Sequence, residues 1–519
     1  MIKRVLNKRS IEVLAVLALM GLGIVARGLR FGAVPGGLNQ DEAFAGYEAY
    51  SLLHYGMDSW GYSMPVYLKT WGSGMSALNT YLMIPILAIF GGLESWMIRL
   101  PQLIVSCFTM FVFYKLLRKL FGMKAALLGL LFLAICPWHI MISRWGLDCN
   151  LAPGFLLFGF WFFLCGIDNA KYYMLSALFY GLSLYCYALL WLIVPLMLVL
   201  QLCYLLYVRK FQWNRYVGIS IGILGVLALP LMLFLLVNMG VMEEIRTPVF
   251  SVPKLTIMRQ GELSIRHIGD NLQNLFHILY RQNDGLYTNA PNEYGLYYRW
   301  TPLWGILGFG WCLRNIWCSF RKRVYDPVVL LMVPFLGAVI LGSVNYVDIS
   351  RINCIFLPII IFITMGMILP LRWIDGHIRY ARHLCWVPVV IFLLLCFNDY
   401  RKFYFRTYGP NLGVIYQDGL GEAVERAMEL AEDDMEIYVD FAFSKILFYS
   451  RLPVTEYLET VQYGNCALEF IEVNSCGQFH FGFQEPAPGN IYIIDSGDGG
   501  KFLENGWQVE EYGYTAVAY

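Results

Sequence analysis

Apolar residues run along this chain in long blocks rather than in stripes. The first block, about 11–26, follows Lys3, Arg4, Lys8 and Arg9. Ten more stand at about 97–117, 124–143, 151–168, 172–189, 190–208, 217–238, 298–319, 327–344, 352–371 and 384–400. Blocks of roughly 17–25 apolar residues read as helices that span a hydrocarbon core. A basic leader before an apolar run also resembles a cleaved signal peptide. No convincing small-x-small cleavage site precedes Asp41, so the first block reads as a retained anchor.

A further run, Ser76–Gly92, is apolar enough to span. The distribution of basic residues decides its reading. If the N-terminus is cytoplasmic and this run does not cross, the loops bearing Lys115, Arg118, Lys119 and Lys124 face the cytoplasm. So do those with Arg209, Lys210 and Arg215, with Arg321, Lys322 and Arg323, and with Arg372, Arg379 and Arg382. That is the positive-inside pattern. Ser76–Gly92 is therefore predicted as an interfacial or re-entrant helix on the outer face. The fold class expected is a polytopic α-helical membrane protein with about 11 transmembrane helices.

The pattern changes after residue 400. From 401 to 519 there are 19 Asp+Glu against 7 Lys+Arg. Gly421–Ala431 reads as a short amphipathic helix, and Glu436–Asp440 and Asn490–Asp495 as strands. The expected organisation is a transmembrane domain, 1–400, with outer loops 27–96 and 239–297. A small extracytoplasmic α/β domain, 401–519, follows it. The expected location is the plasma membrane, with the N-terminus cytoplasmic.

Composition agrees. The chain has 519 residues, 58% hydrophobic and 14% charged, where soluble domains carry about 25% charged residues. A net charge of +1 offers no argument for a nucleic-acid partner, and none is expected. Eleven of the 13 cysteines lie in or beside apolar blocks, where Cys acts as a small hydrophobe. Cys466 and Cys476 fall in the outer domain and either pair or remain two thiols. No Cys/His cluster has zinc-site spacing.

Candidate chemistry gathers at the water boundary. Asp41-Glu42 stands just past the first block, within Leu38-Asn39-Gln40-Asp41-Glu42-Ala43. Arg144 and Asp148 follow the third block on the same predicted face. Asp348 and Arg351 lie in the last outward stretch between helices, and Lys69 in Pro65-Val66-Tyr67-Leu68-Lys69. Lys and Arg hold a phosphate head, while a carboxylate activates an incoming hydroxyl. Each residue also has a plainer reading. Arg144 alone would serve as an interfacial anchor, Asp58 as a turn residue beside Gly56 and Gly61, and His54 as a structural side chain.

Four stretches together resemble a known family. They are Asp41-Glu42 with Leu53–Gly61 and Pro65; Arg99-Leu100-Pro101 with Leu120-Phe121-Gly122; Pro137 through Ser143-Arg144 to Asp148; and Gln282–Leu286 with Asn289, Pro291 and Tyr294-Gly295. In this order the chain resembles the C-type glycosyltransferase fold, in its bacterial protein O-mannosyltransferase-like and aminoarabinose-transferase-like branch. The resemblance covers about the first 400 residues. It implies transfer of a sugar from a polyprenyl-phosphate donor to an acceptor hydroxyl on a glycan, protein or lipid, with inversion. Asp41 matches the catalytic acidic residue and would be the general base. Glu42 matches its neighbour, orienting acceptor or Asp41. Asp148 matches an acidic position that binds a divalent metal ion in some relatives, although here Cys149 and Asn150 follow in place of an Asp-x-Asp. Arg144, Arg351 and Lys69 are the candidates for the lipid phosphate.

Two other classes compete. A lipid or sugar transporter places ionisable groups inside its spans, and these spans are nearly free of them. An envelope protein that only binds a partner leaves the boundary charges unexplained. Among enzymes, the alternative is a polymer ligase using a diphosphate-linked lipid donor. It would draw on Arg266, His267 and Arg281 in the loop 239–297.

Overall fold

The computed structural model describes residues 8–70, 73–258, 264–377, 385–432, 435–465, 471–483 and 485–519. Among these, seven helices are long and apolar enough to cross a membrane: Ser10–Gly28, Ser95–Phe121, Asp148–Asp168, Leu190–Tyr207, Arg215–Asn238, Pro327–Val344 and Asn353–His377. The other predicted blocks are helices too. They form Met123–Ile135 with Pro137–Ile142, Tyr172–Ser183, Pro302–Lys322 and Trp386–Phe403. Length and apolarity thus support seven of the 11 expected crossings, and the remaining blocks are shorter, broken or more polar.

The break in the third block has a local cause. Pro137 cannot continue the hydrogen-bond ladder and holds Cys136 in extended backbone, with φ −65° and ψ 122°. The core of the bundle is Phe356–His377, which packs on Pro302–Lys322. Gly308 and Gly366 permit that contact: a Cβ at either would lie 1.9 Å from a carbonyl oxygen of the facing helix. Small residues at such crossings bring backbones close.

The run Ser76–Gly92 is not among the seven. Its helix, Leu78–Phe90, has 13 residues and rises about 20 Å, short of a core about 30 Å thick. Both of its flanks lie at the Asp41 end of the bundle. Ser76 N donates to Asp148 Oδ2 at 3.2 Å, and Arg99, one turn into the next helix, reaches Glu42 at 2.9 Å.

The compositional border at 401 falls inside continuous helix. Trp386–Phe403 passes through a π-helical turn, Tyr404–Tyr408, into Gly409–Ile415. The α/β unit starts at Leu420. It holds a seven-stranded mixed sheet whose centre is Ile437–Val439, parallel to Phe479–Phe481 on one side and to Ile491–Asp495 on the other. The predicted helix appears as Leu420–Leu430, and both predicted strands are present. Cys476 is buried, while Cys466 lies outside the described residues.

The helix Gln40–Tyr55 is wedged between the two units. Phe44 and Tyr47 pack on Phe443, Leu447 and Leu452 of the α/β unit. Ala43, Ala45 and Ala49 join a cluster with Ile98 of the bundle and with Phe448. Tyr47 OH donates to Leu452 O at 2.7 Å.

Candidate functional site

The wedged helix sets the geometry of the acidic pair. Asn39 caps it: its side chain accepts from Asp41 N, and Glu42 Oε2 accepts from Asn39 N at 3.1 Å, completing a capping box. The two carboxylates then part company. Glu42 is fully buried, whereas Asp41 is half-buried in the first helical turn. Glu42 accepts from Arg99 Nε at 2.9 Å, Arg99 Nη2 at 3.0 Å and Gly146 N at 2.5 Å. Arg99 is itself fully buried, and its remaining donors hold Pro35 O and Gly37 O, each at 2.8 Å. The ion pair therefore fastens the two ends of the first outer loop, and the Gly146 N–H joins Glu42 to the loop that follows Pro137–Ile142.

The loops converge beyond this clamp. Asp148 Oδ1 accepts from Cys149 N at 2.7 Å. Asn150 accepts from Asn353 Nδ2 at 2.8 Å, and Trp138 donates to Asn353 Oδ1 at 2.7 Å. The carboxylates of Asp41, Asp148 and Asp348 all lie within electrostatic reach of Cys149. Tyr187 is placed among Cys149, Asp148, Arg351 and Asp348. Arg351 Nε lies 3.6 Å from Asp348 Oδ2. Both Arg351 and Tyr187 line an apolar cavity of about 310 Å³, whose walls include Trp191, Phe234 and Leu341.

The cations do not share one place. Arg144 is fully buried and donates to Val34 O at 2.7 and 3.1 Å, to Arg30 O at 3.0 Å and to Arg27 O. Four of its five N–H groups are taken by carbonyls of the chain leaving the first helix, so it stitches loops in a place with no solvent access. Lys69 lies 4.1 Å above the Trp60 ring, which stacks on Tyr463 of the α/β unit at 5.5 Å. Arg351 alone of the three lines the cavity. Arg266 and Arg281, invoked for the ligase alternative, are exposed, and His267 lies 3.7 Å from Asp270.

For a divalent ion the donor set is thin. Both oxygens of Asp148 already accept backbone N–H groups, and Asn150 is turned to Asn353 and to Trp145 O. Among the described residues no group of three His, Cys, Asp or Glu side chains gathers as a metal site. These residues do not fit a dedicated metal centre, and no step is assigned to one.

Sequence reading missed a second acidic pair. Glu48 follows Asp41 by seven residues, two turns along the same helix, and that spacing was its available signal. It is buried with Asp58, which makes the expected turn by accepting from Trp60 N at 3.0 Å and Tyr62 N at 2.8 Å. Ser59 N donates to Glu48 at 2.9 Å. Burial pushes the Asp58 carboxyl up to about 7, against the pull of those N–H groups and of Arg246 and Lys69. Burial, and then the Asp58 charge, hold Glu48 well above the carboxylate range.

Comparison with known proteins follows the same lines. Residues 77–242 match the family model described as Dolichyl-phosphate-mannose-protein mannosyltransferase. No curated protein matches the sequence. Among solved structures, ArnT from Cupriavidus metallidurans bound to undecaprenyl phosphate is similar over 99% of this chain and 98% of that one, with 12% identity and a TM-score of 0.55. Its apo state covers 98% and 97%, with 12% identity and a TM-score of 0.54. The oligosaccharyltransferase AglB from Archaeoglobus fulgidus, in complex with an inhibitory peptide and a dolichol-phosphate, is similar over 85% of this chain and 64% of that one. Its identity is 10% and its TM-score 0.53. The resemblance read from the motifs is thus found again: residues 77–242 match a mannosyltransferase family model, and the chain has, along almost its whole length, the C-type glycosyltransferase fold of ArnT.

Proposed function

We propose that this membrane protein transfers a sugar from a polyprenyl-phosphate donor to an acceptor hydroxyl, with Asp41 as general base. The observation that carries this reading is the position of Asp41. It is the half-exposed member of the acidic pair, held at a helix N-terminus by a clamp that joins two loops. An apolar cavity with an arginine at its wall lies beside the same loops. The bound undecaprenyl phosphate of ArnT and dolichol-phosphate of AglB support a lipid phosphate as donor for a chain of this fold.

In this mechanism Asp41 takes the proton from the acceptor hydroxyl. The hydroxyl oxygen forms a bond to the anomeric carbon as the bond from that carbon to the phosphate oxygen breaks. The electron pair leaves with the polyprenyl phosphate, whose charge Arg351 receives, and the anomeric centre inverts. Glu42 and Arg99 hold Asp41 in place without touching substrate. Lys69, on its Trp60 platform, is a second cation for the donor side. The basic loops support an N-terminus in the cytoplasm, with Asp41 and the α/β unit on the outer face of the plasma membrane.

The test is direct. Purified full-length protein is incubated with a panel of radiolabelled polyprenyl-phosphate sugars and membrane extract. Label should move from the lipid to an acceptor fraction with one donor class, and Asp41→Asn should abolish the movement. Equal transfer by parent and Asp41→Asn protein would overturn the mechanism.

A further inference from the structure

The bundle carries a second cavity at the end away from Asp41. The helix Leu190–Tyr207 measures the separation: it begins just after Tyr187, and its 18 residues rise about 27 Å. There the loop 208–214 covers an apolar cavity of about 230 Å³. Tyr173, Ala177 and Tyr180 form one wall, Leu202 and Ile221 another, and Trp213 of the loop closes it. Leu202, Ile221 and Trp213 are exposed. The bordering helix Arg215–Asn238 buries only Leu231, Phe234 and Val237. The cavity therefore opens toward the surface that this chain presents to lipid, not toward the candidate active site.

Charge complements it. Arg209, Lys210 and Arg215 flank Trp213 and are exposed. Arg321, Lys322 and Arg323 end the neighbouring helix region, with Arg323 5.5 Å over the Tyr207 ring. Lys210 lies 5.9 Å over Tyr325, and Arg215 4.9 Å over Tyr216. Among the described residues no ion pair with a carboxylate engages any of the six. An apolar slot beside a basic rim suits a molecule with a hydrocarbon chain and an anionic head. Basic pockets between membrane helices bind anionic lipid head groups in this way.

We infer that this cavity holds one acyl chain of an anionic phospholipid, with the lipid phosphate on Arg209, Lys210 and Arg215. The site is independent of the reaction proposed above. It is tested by native mass spectrometry of the full-length protein with phosphatidylglycerol and phosphatidylcholine of identical chains, added in equal amounts. The parent should retain phosphatidylglycerol at least threefold over phosphatidylcholine. The triple variant Arg209→Gln, Lys210→Gln, Arg215→Gln changes only exposed side chains and should bring that ratio to parity. Ala177→Phe, which fills the cavity, should lower retention of both lipids. Chain-free glycerophosphoglycerol should not compete. Equal retention of the two lipids by the parent, an undiminished preference in the triple variant, or competition by the chain-free head group would each overturn the assignment.

Discussion

Glu42→Gln separates positioning from catalysis within one acidic pair. The Glu42 carboxylate accepts four hydrogen bonds, two on each oxygen. Oε1 serves Arg99 Nε and Gly146 N; Oε2 serves Arg99 Nη2 and Asn39 N. An amide presents one oxygen and one NH2 group, so either choice turns donors against two N–H groups. It also leaves the Arg99 charge uncompensated in a site with no solvent exposure on either side chain. Removing one partner of a buried ion pair costs about 3–5 kcal/mol. At about 1.4 kcal/mol per tenfold, the folding equilibrium falls roughly a hundredfold to several thousandfold. The assay is thermal unfolding of the full-length protein in detergent, followed by tryptophan fluorescence. The half-exposed Asp41→Asn serves as control and should stay within about 0.5 kcal/mol of the parent. A Glu42→Gln protein that unfolds with the parent, or an Asp41→Asn protein that unfolds well before it, would refute the division of labour drawn here.

Four further outcomes are expected. Asp41→Asn should lower sugar transfer about 10²–10⁴-fold while donor lipid still binds, measured with radiolabelled donor. Arg351→Ala should weaken donor binding at parental stability, whereas Arg144→Gln should lower the melting midpoint, because its partners are carbonyls of residues 27–34. A carboxyl raised on folding binds more protons folded than unfolded, so the contribution of Asp58 is complete below about pH 4 and is lost as pH rises through about 7. The melting midpoint should therefore fall from pH 5 to pH 8, and Asp58→Asn should flatten that part of the profile. A cysteine at Glu94, exposed just after Leu78–Phe90, should react with a membrane-impermeant thiol reagent on intact cells; reaction only after lysis would overturn the outward placement of Asp41.

The bundle was legible because its signal is local. Apolar length needs no partner to be read, and every apolar block is helical, the third broken in two at Pro137. The position of Asp41 was legible for the same reason, since Asn39 and Glu42 form a capping box within four residues. What stayed hidden depends on contacts distant in sequence. Arg99 and Arg144 look alike as boundary cations, yet one meets a carboxylate 57 residues away and the other carbonyls more than 100 residues away. The Trp60–Tyr463 stack and the burial of Glu48 likewise depend on how the loop 56–66 and the α/β unit close over Gln40–Tyr55. The helix boundary at Ile415, rather than at the change in charge near 401, reflects a π-helical turn that composition does not encode.

The wedged position of Gln40–Tyr55 bears on how such an enzyme can diversify. The carboxylate that would meet the acceptor rides on an element whose one face belongs to the bundle and whose other face belongs to the outer unit. Under the proposed function, exposed positions of that outer unit could drift toward new acceptors while the lipid-facing half kept its donor. The drift is bounded by Phe443, Leu447 and Leu452, which form the seat of the helix. Exchange of the whole outer unit between relatives must carry that seat with it, so new specificity is reached more readily by recolouring the surface of this unit than by replacing it.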